Sequence, residues 1–218
     1  MIDVHHPHQP VHGWRDFFVH LVTITIGLLI ALGLEGYVEW LHHLHLAHEA
    51  RTSLHAEIAG NAKDITKAAA QLHEREKDLK SDVAVLKYVI KNKKMPEHAA
   101  MSIDFDLIGL NDVSWKTAQS TGAVTYMAYA EAQDYSDIYN MQAELYASEQ
   151  QAARDAIISL APFLDPSDGD PDPTPEEAAA IEQKIEILQG QLLMVDSLLS
   201  SLGRHYQQYL TAHPHPSD

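Results

Sequence analysis

Histidine is the residue type in this chain whose number and spacing best fit a chemical role. Ten of the 15 histidines lie within the first 55 residues. His42, His45 and His48 recur every three residues, so on a helix their imidazoles project from one flank, where two of them can bind Zn²⁺, Cu²⁺ or Ni²⁺. A structural metal site takes four ligands and one helix comfortably supplies two, so a second chain would have to complete it. A divalent metal ion is therefore one candidate partner.

A second explanation for these histidines needs no metal ion. Imidazole is amphipathic, is largely neutral near pH 7 and is tolerated at the depth of lipid headgroups, so the cluster also fits a helix that leaves a membrane. An earlier cluster is interrupted by Pro7 and Pro10, and it predicts a disordered His-rich tail over residues 1–13. That earlier cluster comprises His5, His6, His8 and His12.

The composition excludes several function classes. Residues 41–218 hold 27 acidic and 14 basic side chains, and this acidic balance argues against binding to nucleic acid or to anionic lipid surfaces. The chain has no cysteine, which excludes thiol catalysis and iron–sulfur clusters. It also lacks a Gly-rich phosphate loop and a Gly-x-Ser-x-Gly nucleophile elbow. We predict that the protein is not an enzyme and holds no cofactor.

The segment before His42, His45 and His48 has the sequence of a membrane anchor, and we call these three residues the membrane-exit histidines. Residues 17–34 carry no formal charge, and as a helix they would span roughly 27 Å, close to the hydrocarbon thickness of a bilayer. Trp14 lies before this run, and Tyr37 and Trp40 lie after it, which is typical of aromatic belts at the two interfaces. We predict a transmembrane helix over residues 14–40. The alternatives are a buried soluble helix and a signal peptide that is cleaved near Gly33.

One face of this predicted helix carries small or polar residues at intervals of four. Thr23, Gly27, Ala31 and Glu35 form the stripe, and small residues let two membrane helices approach closely. This predicts self-association, giving a homo-oligomer or a larger membrane complex. The few basic residues near the anchor favour an inner-membrane protein with a short internal N-terminal tail and a periplasmic C-terminal domain.

The remainder of the chain predicts an all-α domain over residues 41–212, in which long helices pack as an antiparallel bundle or coiled coil. A helix continues to Asn92, and its predicted buried stripe has apolar residues three and four apart except where Glu76 interrupts: Ile58, Ala62, Ile65, Ala69, Leu72, Leu79, Val83, Leu86 and Ile90. A second helix covers residues 175–212, and its predicted seam, the line of apolar residues that packs against another helix, is Ile181, Ile185, Leu188, Leu192, Val195, Leu199, Leu202, Tyr206 and Tyr209. Thr174, Pro175 and Glu177 predict the start of the second helix as a capping box. A polar connection over residues 165–173 precedes it, and residues 213–218 are expected to be a disordered tail.

The middle of the chain is less regular. Asp112 or Ser114 is expected to cap a helix that Gly122 interrupts, and a further helix is predicted over residues 129–160. Five tyrosines fall close together in this part, at Tyr126, Tyr129, Tyr135, Tyr139 and Tyr146. Either they line a ligand pocket in the 115–146 region or they are core residues whose hydroxyls reach polar partners.

Two stretches of the chain resemble an uncharacterised family of bacterial single-pass membrane proteins. They are "WRDFFVHLVTITIGLLIALGLEGYVEWLHHLHLAHEARTSLHAEIAGN" and "SWKTAQSTGAVTYMAYAEAQDYSDIYNMQ". Proteins of that family look alike in having an N-terminal hydrophobic helix, a Glu at its exit, a His/Arg-rich helix and an acidic helical domain. The resemblance implies an anchored helical protein, and it implies no activity or functional residue.

Together these features predict a membrane-anchored helical interaction or scaffold protein, an accessory subunit or adaptor whose first partner is the lipid bilayer. Two alternatives stay open. One is a metal-binding or metal-sensing protein that uses the membrane-exit histidines. The other is a sensory ectodomain with its ligand pocket in the 115–146 region.

Overall fold

The computed structural model describes residues 13–99, 101, 108–164 and 172–215, without the side chains of residues 159–164. Within these ranges the chain is all-helical and has no strand, which confirms the predicted fold class at this level. The elements are α1 (Trp14–Asn92), α2 (Val113–Ser120), a short 3₁₀ helix (Ala123–Tyr126), α3 (Tyr129–Leu164) and α4 (Pro175–Ala212). Residues 1–12 and 216–218 of the predicted tails and residues 165–171 of the polar connection lie outside the described residues.

The chain divides into two compact units, residues 1–47 and 48–218. In the first unit, α1 is long and apolar enough to span a membrane by length and composition. An 18-residue window has a mean hydropathy of 2.4, and none of it is buried. The large apolar side chains from Trp14 to Leu41 are 43–75% exposed. Such a continuous apolar surface needs a hydrocarbon or protein neighbour that the described residues do not supply.

Polar and aromatic groups on this part of α1 are arranged as an apolar environment requires. The hydroxyls of Thr23 and Thr25 each donate to the backbone carbonyl four residues earlier, at 2.8 Å, so neither is left without a partner in hydrocarbon. Trp14 stacks on Phe18 with ring centroids 5.5 Å apart at one end. Tyr37 and Trp40 lie 5.9 Å apart beyond the other end.

In the second unit, residues 48–218 (hereafter the helical unit), α4 buries the residues that the sequence predicts. The helix starts with the predicted capping box, because Thr174 Oγ1 accepts from the Glu177 backbone N–H at 3.2 Å and Glu177 Oε2 accepts from the Thr174 N–H at 2.8 Å. All nine predicted seam residues of α4 are buried. They are Ile181, Ile185, Leu188, Leu192, Val195, Leu199, Leu202, Tyr206 and Tyr209.

The buried stripe of α1 differs from the prediction at three positions. The predicted residues Ile58, Ala62, Ile65, Leu72, Leu79 and Leu86 are buried as expected. At the other three positions the preceding residue is buried instead: Ala68 in place of Ala69, Asp82 in place of Val83 and Val89 in place of Ile90. Only at Asp82 is the predicted neighbour, Val83, the more apolar residue. At Ala68 and Val89 both neighbours are apolar, so apolar character alone does not decide which of the two is buried.

Contacts along the helices give their directions. Asn61 of α1 meets Gln142 of α3, and Arg51 meets Glu131, so these two helices run the same way. Helix α4 runs opposite to both, since Tyr135 of α3 meets Tyr209 and the later residue Gln142 meets the earlier residue Tyr206. A Cβ added to Gly203 of α4 would lie 3.2 Å from Ile65 Cγ2, so a glycine permits the close approach of α4 to α1.

The connection between α1 and α3 is built around a glycine turn. Helix α2 ends at Ser120, and Gly122 then adopts a left-handed φ of +75°, which a residue with a Cβ rarely takes. The short 3₁₀ helix follows directly. The predicted interruption at Gly122 is confirmed, and α3 extends four residues beyond the predicted Leu160.

Candidate functional site

A buried polar network joins α1, α3, α4 and the segment before α2. Asn61, which is fully buried, accepts the backbone N–H of Asn111 at 2.9 Å and donates to the Asn111 carbonyl at 2.7 Å. Gln142 Nε2 donates to the same carbonyl at 2.9 Å. The Tyr206 hydroxyl donates to Gln142 Oε1 at 2.7 Å. Both backbone groups of one loop residue are thus held by amide side chains from two helices.

Glu57 extends this network to α2. Its Oε2 accepts the Ser114 backbone N–H at 2.8 Å, and its Oε1 accepts the Tyr139 hydroxyl at 2.6 Å. The positional N-cap of α2, Asp112, makes no side-chain cap and instead pairs with Lys116 Nζ at 2.7 Å. The cap expected from Asp112 or Ser114 is therefore supplied by a carboxylate of α1, which also complements the helix dipole.

Ion-pair and hydroxyl contacts continue along the same side of α1. Arg51 and Glu131 form a two-bond pair, with Nε–Oε1 at 2.6 Å and Nη2–Oε2 at 2.8 Å. Planar pairs with two hydrogen bonds between Arg and a carboxylate are stronger than ion pairs with one, so this contact holds the first turn of α3 against α1. The hydroxyls of Tyr135 and Tyr209 are 2.8 Å apart, and His55 Nε2 donates to the His213 carbonyl at 2.9 Å.

Burial keeps the phenols of this region in their neutral form. Desolvation is the main cause that raises the pKa of Tyr135, Tyr139 and Tyr206 well above the ordinary value for tyrosine. They therefore keep their hydroxyl protons across the physiological pH range, and none is activated as a nucleophile. The arrangement is suited to holding helices in register.

The five clustered tyrosines consequently divide into two groups. Tyr135 and Tyr139 are buried core residues with bonded hydroxyls, and Tyr139 stacks on Trp115 with a centroid distance of 5.2 Å. Tyr126, Tyr129 and Tyr146 are exposed. In this region the buried pair fills space between helices, so the core explanation fits these two residues better than the ligand-pocket explanation.

Two buried carboxylates interrupt the apolar interior elsewhere. Burial, followed by the charge of Asp78, raises the pKa of Asp82 to about 6. Burial raises the pKa of Glu149 to about 7, although a backbone hydrogen bond from Ile108 acts in the opposite direction. Asp82 Oδ2 and Glu149 Oε2 have no hydrogen-bond partner within the described ranges. Both acids are therefore poised to change charge near neutral pH.

The predicted metal ligands lie on α1 as exposed side chains. His42, His45 and His48 are all exposed, and His43 lies 3.8 Å from Glu39. Across the residues that the structure describes, no three His, Asp or Glu side chains are grouped closely enough to hold a metal ion. Metal binding by these histidines stays a prediction that a second chain would have to complete.

The predicted association stripe also lies on the exposed surface of α1. Thr23, Gly27, Ala31 and Glu35 are exposed, and a Cβ built on Gly27 meets nothing within 4 Å. The surface is open to a neighbouring helix.

Sequence reasoning missed Glu57, Asn61, Gln142 and Glu149. A signal was present for α3, because Ile138, Gln142, Leu145, Glu149, Ala152 and Ala156 are spaced four, three, four, three and four apart, and all are buried. A search for apolar spacing alone favours an apolar neighbour, such as Met141, over the polar residue at the seam position, Gln142. Their regular spacing indicates that they face the interior, where they must find partners.

Comparison with known proteins adds no relative: no family model, no curated protein and no solved structure matches this chain. The resemblance to a family of bacterial single-pass membrane proteins stays a prediction.

We expect Asn61→Leu to lower the free energy of unfolding by about 2–3 kcal/mol, because it removes both hydrogen bonds between the buried Asn61 amide and the Asn111 backbone. Tyr206→Phe removes one donor and should cost about 1 kcal/mol. Urea unfolding of the full chain in detergent measures both. Asn140→Leu, at an exposed position of α3, is the matched control. Equal stability of Asn61→Leu and the control would contradict a structural role for the network.

We expect the helical unit to lose stability as pH rises from about 4 to about 7. An acid whose folded pKa is raised holds its proton more tightly when folded, so the unfolded state loses its proton first and is favoured as pH rises. Glu149→Gln and Asp82→Asn should each remove this penalty and add about 2 kcal/mol at pH 8. Glu144→Gln, exposed on α3, should leave the pH profile of unfolding unchanged. A parent profile that rises over this range would exclude the explanation.

Proposed function

We propose that the protein is a membrane-anchored helical interaction or scaffold protein, an accessory subunit or adaptor of the bacterial inner membrane. The supporting observation is the exposure of every large apolar side chain of α1 from Phe17 to Leu41. A bilayer is the simplest partner that covers an 18-residue apolar helix on all sides. On this proposal residues 48–218 fold in water on the periplasmic side.

The proposed architecture of the helical unit is a long-helix antiparallel bundle of coiled-coil type. The alternating three-and-four spacing of buried residues on α1, α3 and α4 supports it, as does the opposite direction of α4. The Asn61–Gln142–Tyr206 network and the Arg51–Glu131 pair of this unit join its own helices. A unit of this kind presents fixed outer surfaces to a partner, which suits scaffolding.

Self-association through the stripe of Thr23, Gly27, Ala31 and Glu35 is the second part of the proposal. These residues are exposed and, apart from Glu35, small, so a second copy of the helix can approach closely. The Thr23 hydroxyl is already bonded to the Val19 carbonyl, so burying it against a partner leaves no unmet hydrogen bond. Two anchored copies would also present two helical units side by side.

A cysteine scan tests this part directly, because the natural chain contains no cysteine. Thr23→Cys, Gly27→Cys and Ala31→Cys are each oxidised in isolated membranes, and disulfide-linked dimers are measured by non-reducing electrophoresis. We expect efficient dimers at these three positions, because the two copies face each other along the stripe.

Positions on the opposite face are the matched controls. Thr25→Cys corresponds to Thr23→Cys in residue type, and Leu29→Cys lies close to the membrane depth of Gly27 and Ala31. The controls should give several-fold less dimer. Equal yields on both faces would indicate random collision, and an absence of dimers at all five positions would remove self-association from the proposal.

A further inference from the structure

A half-open cavity lies within the helical unit, between α1, α3 and α4. Its volume is about 460 Å³, within the range of about 300–1,000 Å³ that is common for small-molecule sites. Much of the wall is apolar, formed by Ala68, Leu72, Ile108, Ala152, Leu192 and Val195. It is separate from the tyrosine-rich region where the sequence suggested a pocket, and from the Asn61 network.

Glu149 of α3 is a buried acidic residue in the wall of the cavity. Its side chain is 7% exposed, and Oε2 has no hydrogen-bond partner among the residues that the structure describes. A buried carboxylate oxygen without a partner is costly, which is why most such groups in proteins are bonded. Glu149 lines the cavity, so its carboxylate lies beside any molecule that enters.

The charges around the cavity favour a positive ligand. Helix α1 contributes Lys67, Glu74, Arg75 and Asp78, which balance as two cations and two anions. The described lining residues from α4 and from the segment before α2 carry no charge. Among the described lining residues, ionised Glu149 therefore leaves one net negative charge, and this charge lies on a buried side chain.

We propose that this cavity is a binding site for a small organic cation, an ammonium group on a compact apolar body, with the Glu149 carboxylate as its counter-ion. The apolar body would lie against Leu192 and Val195, and the ammonium N–H would donate to Oε2. Such a bond joins two charged groups away from water, where it is stronger than a neutral hydrogen bond. The site depends on neither the membrane anchor nor self-association.

The test uses 1-adamantylammonium as the probe and adamantane-1-methanol as its neutral analogue of similar shape. Binding to the full chain in lipid nanodiscs is measured by isothermal titration calorimetry, with empty nanodiscs subtracted. We expect the ammonium probe to bind at least about tenfold more tightly than the neutral analogue at pH 8. Its affinity should fall by about tenfold at pH 5.5, where Glu149 holds a proton.

Two variants separate the site from nonspecific binding. Glu149→Gln keeps the shape of the side chain and should reduce the affinity for the ammonium probe at least about tenfold, leaving the neutral analogue unchanged. Ala70→Trp, at an exposed position of the cavity lining, should abolish binding of both probes without disturbing the core. Glu144→Gln is the control and should bind like the parent. Equal affinity of the parent and Glu149→Gln, equal affinity for both probes, or no binding by the parent would each overturn the proposal.

Discussion

The surface of residues 17–34 is the constraint on which the account of this chain depends. These 18 residues are uncharged, and the helix that carries them is exposed throughout this stretch. Apolar surface left in water costs about 25 cal/mol per Å², so we expect a helix with this much exposed apolar surface to be covered by a neighbour. The hydroxyls of Thr23 and Thr25 donate to backbone carbonyls of the same helix. Aromatic pairs lie at its two ends, Trp14 with Phe18 and Tyr37 with Trp40. These details are compatible with the proposed membrane anchor.

The helical unit is organised by a different principle, since polar groups are inserted into its apolar seams. Asn61, Gln142 and Tyr206 meet around the backbone of Asn111, and Glu57 reaches the first turn of α2. Helices with repetitive apolar stripes can slide by one heptad at little cost. A buried amide that has its partners in only one alignment removes that freedom, as a single polar core residue does in coiled coils. The network therefore explains why long and regular helices adopt one register.

Sequence reasoning predicted the elements well and the polar interior poorly, for a physical reason. The capping box at Thr174, the nine buried residues of α4 and the break at Gly122 follow from local chemistry, and the structure confirms them. The burial of Asp82 and Glu149 does not follow from the local pattern. An acidic residue at a seam position is expected to be exposed unless the residues around it in the fold are known. The cap that Glu57 provides for α2 joins residues 57 apart in sequence, and no local rule connects them. Tertiary contacts thus decided what the apolar periodicity left open.

The chain offers a direct test of the anchor, because its tryptophans lie at Trp14, Trp40 and Trp115. Three single-tryptophan proteins, made by Trp→Phe substitution of the other two, are reconstituted into liposomes that contain phosphatidylcholine brominated either near the headgroup or near the chain end. Trp14 and Trp40 should be quenched most by the shallow bromines. Trp115, half-buried beside Tyr139, should be quenched by neither lipid. If Trp14 and Trp40 are quenched by aqueous iodide and by neither lipid, the N-terminal helix does not enter a bilayer and the account is contradicted.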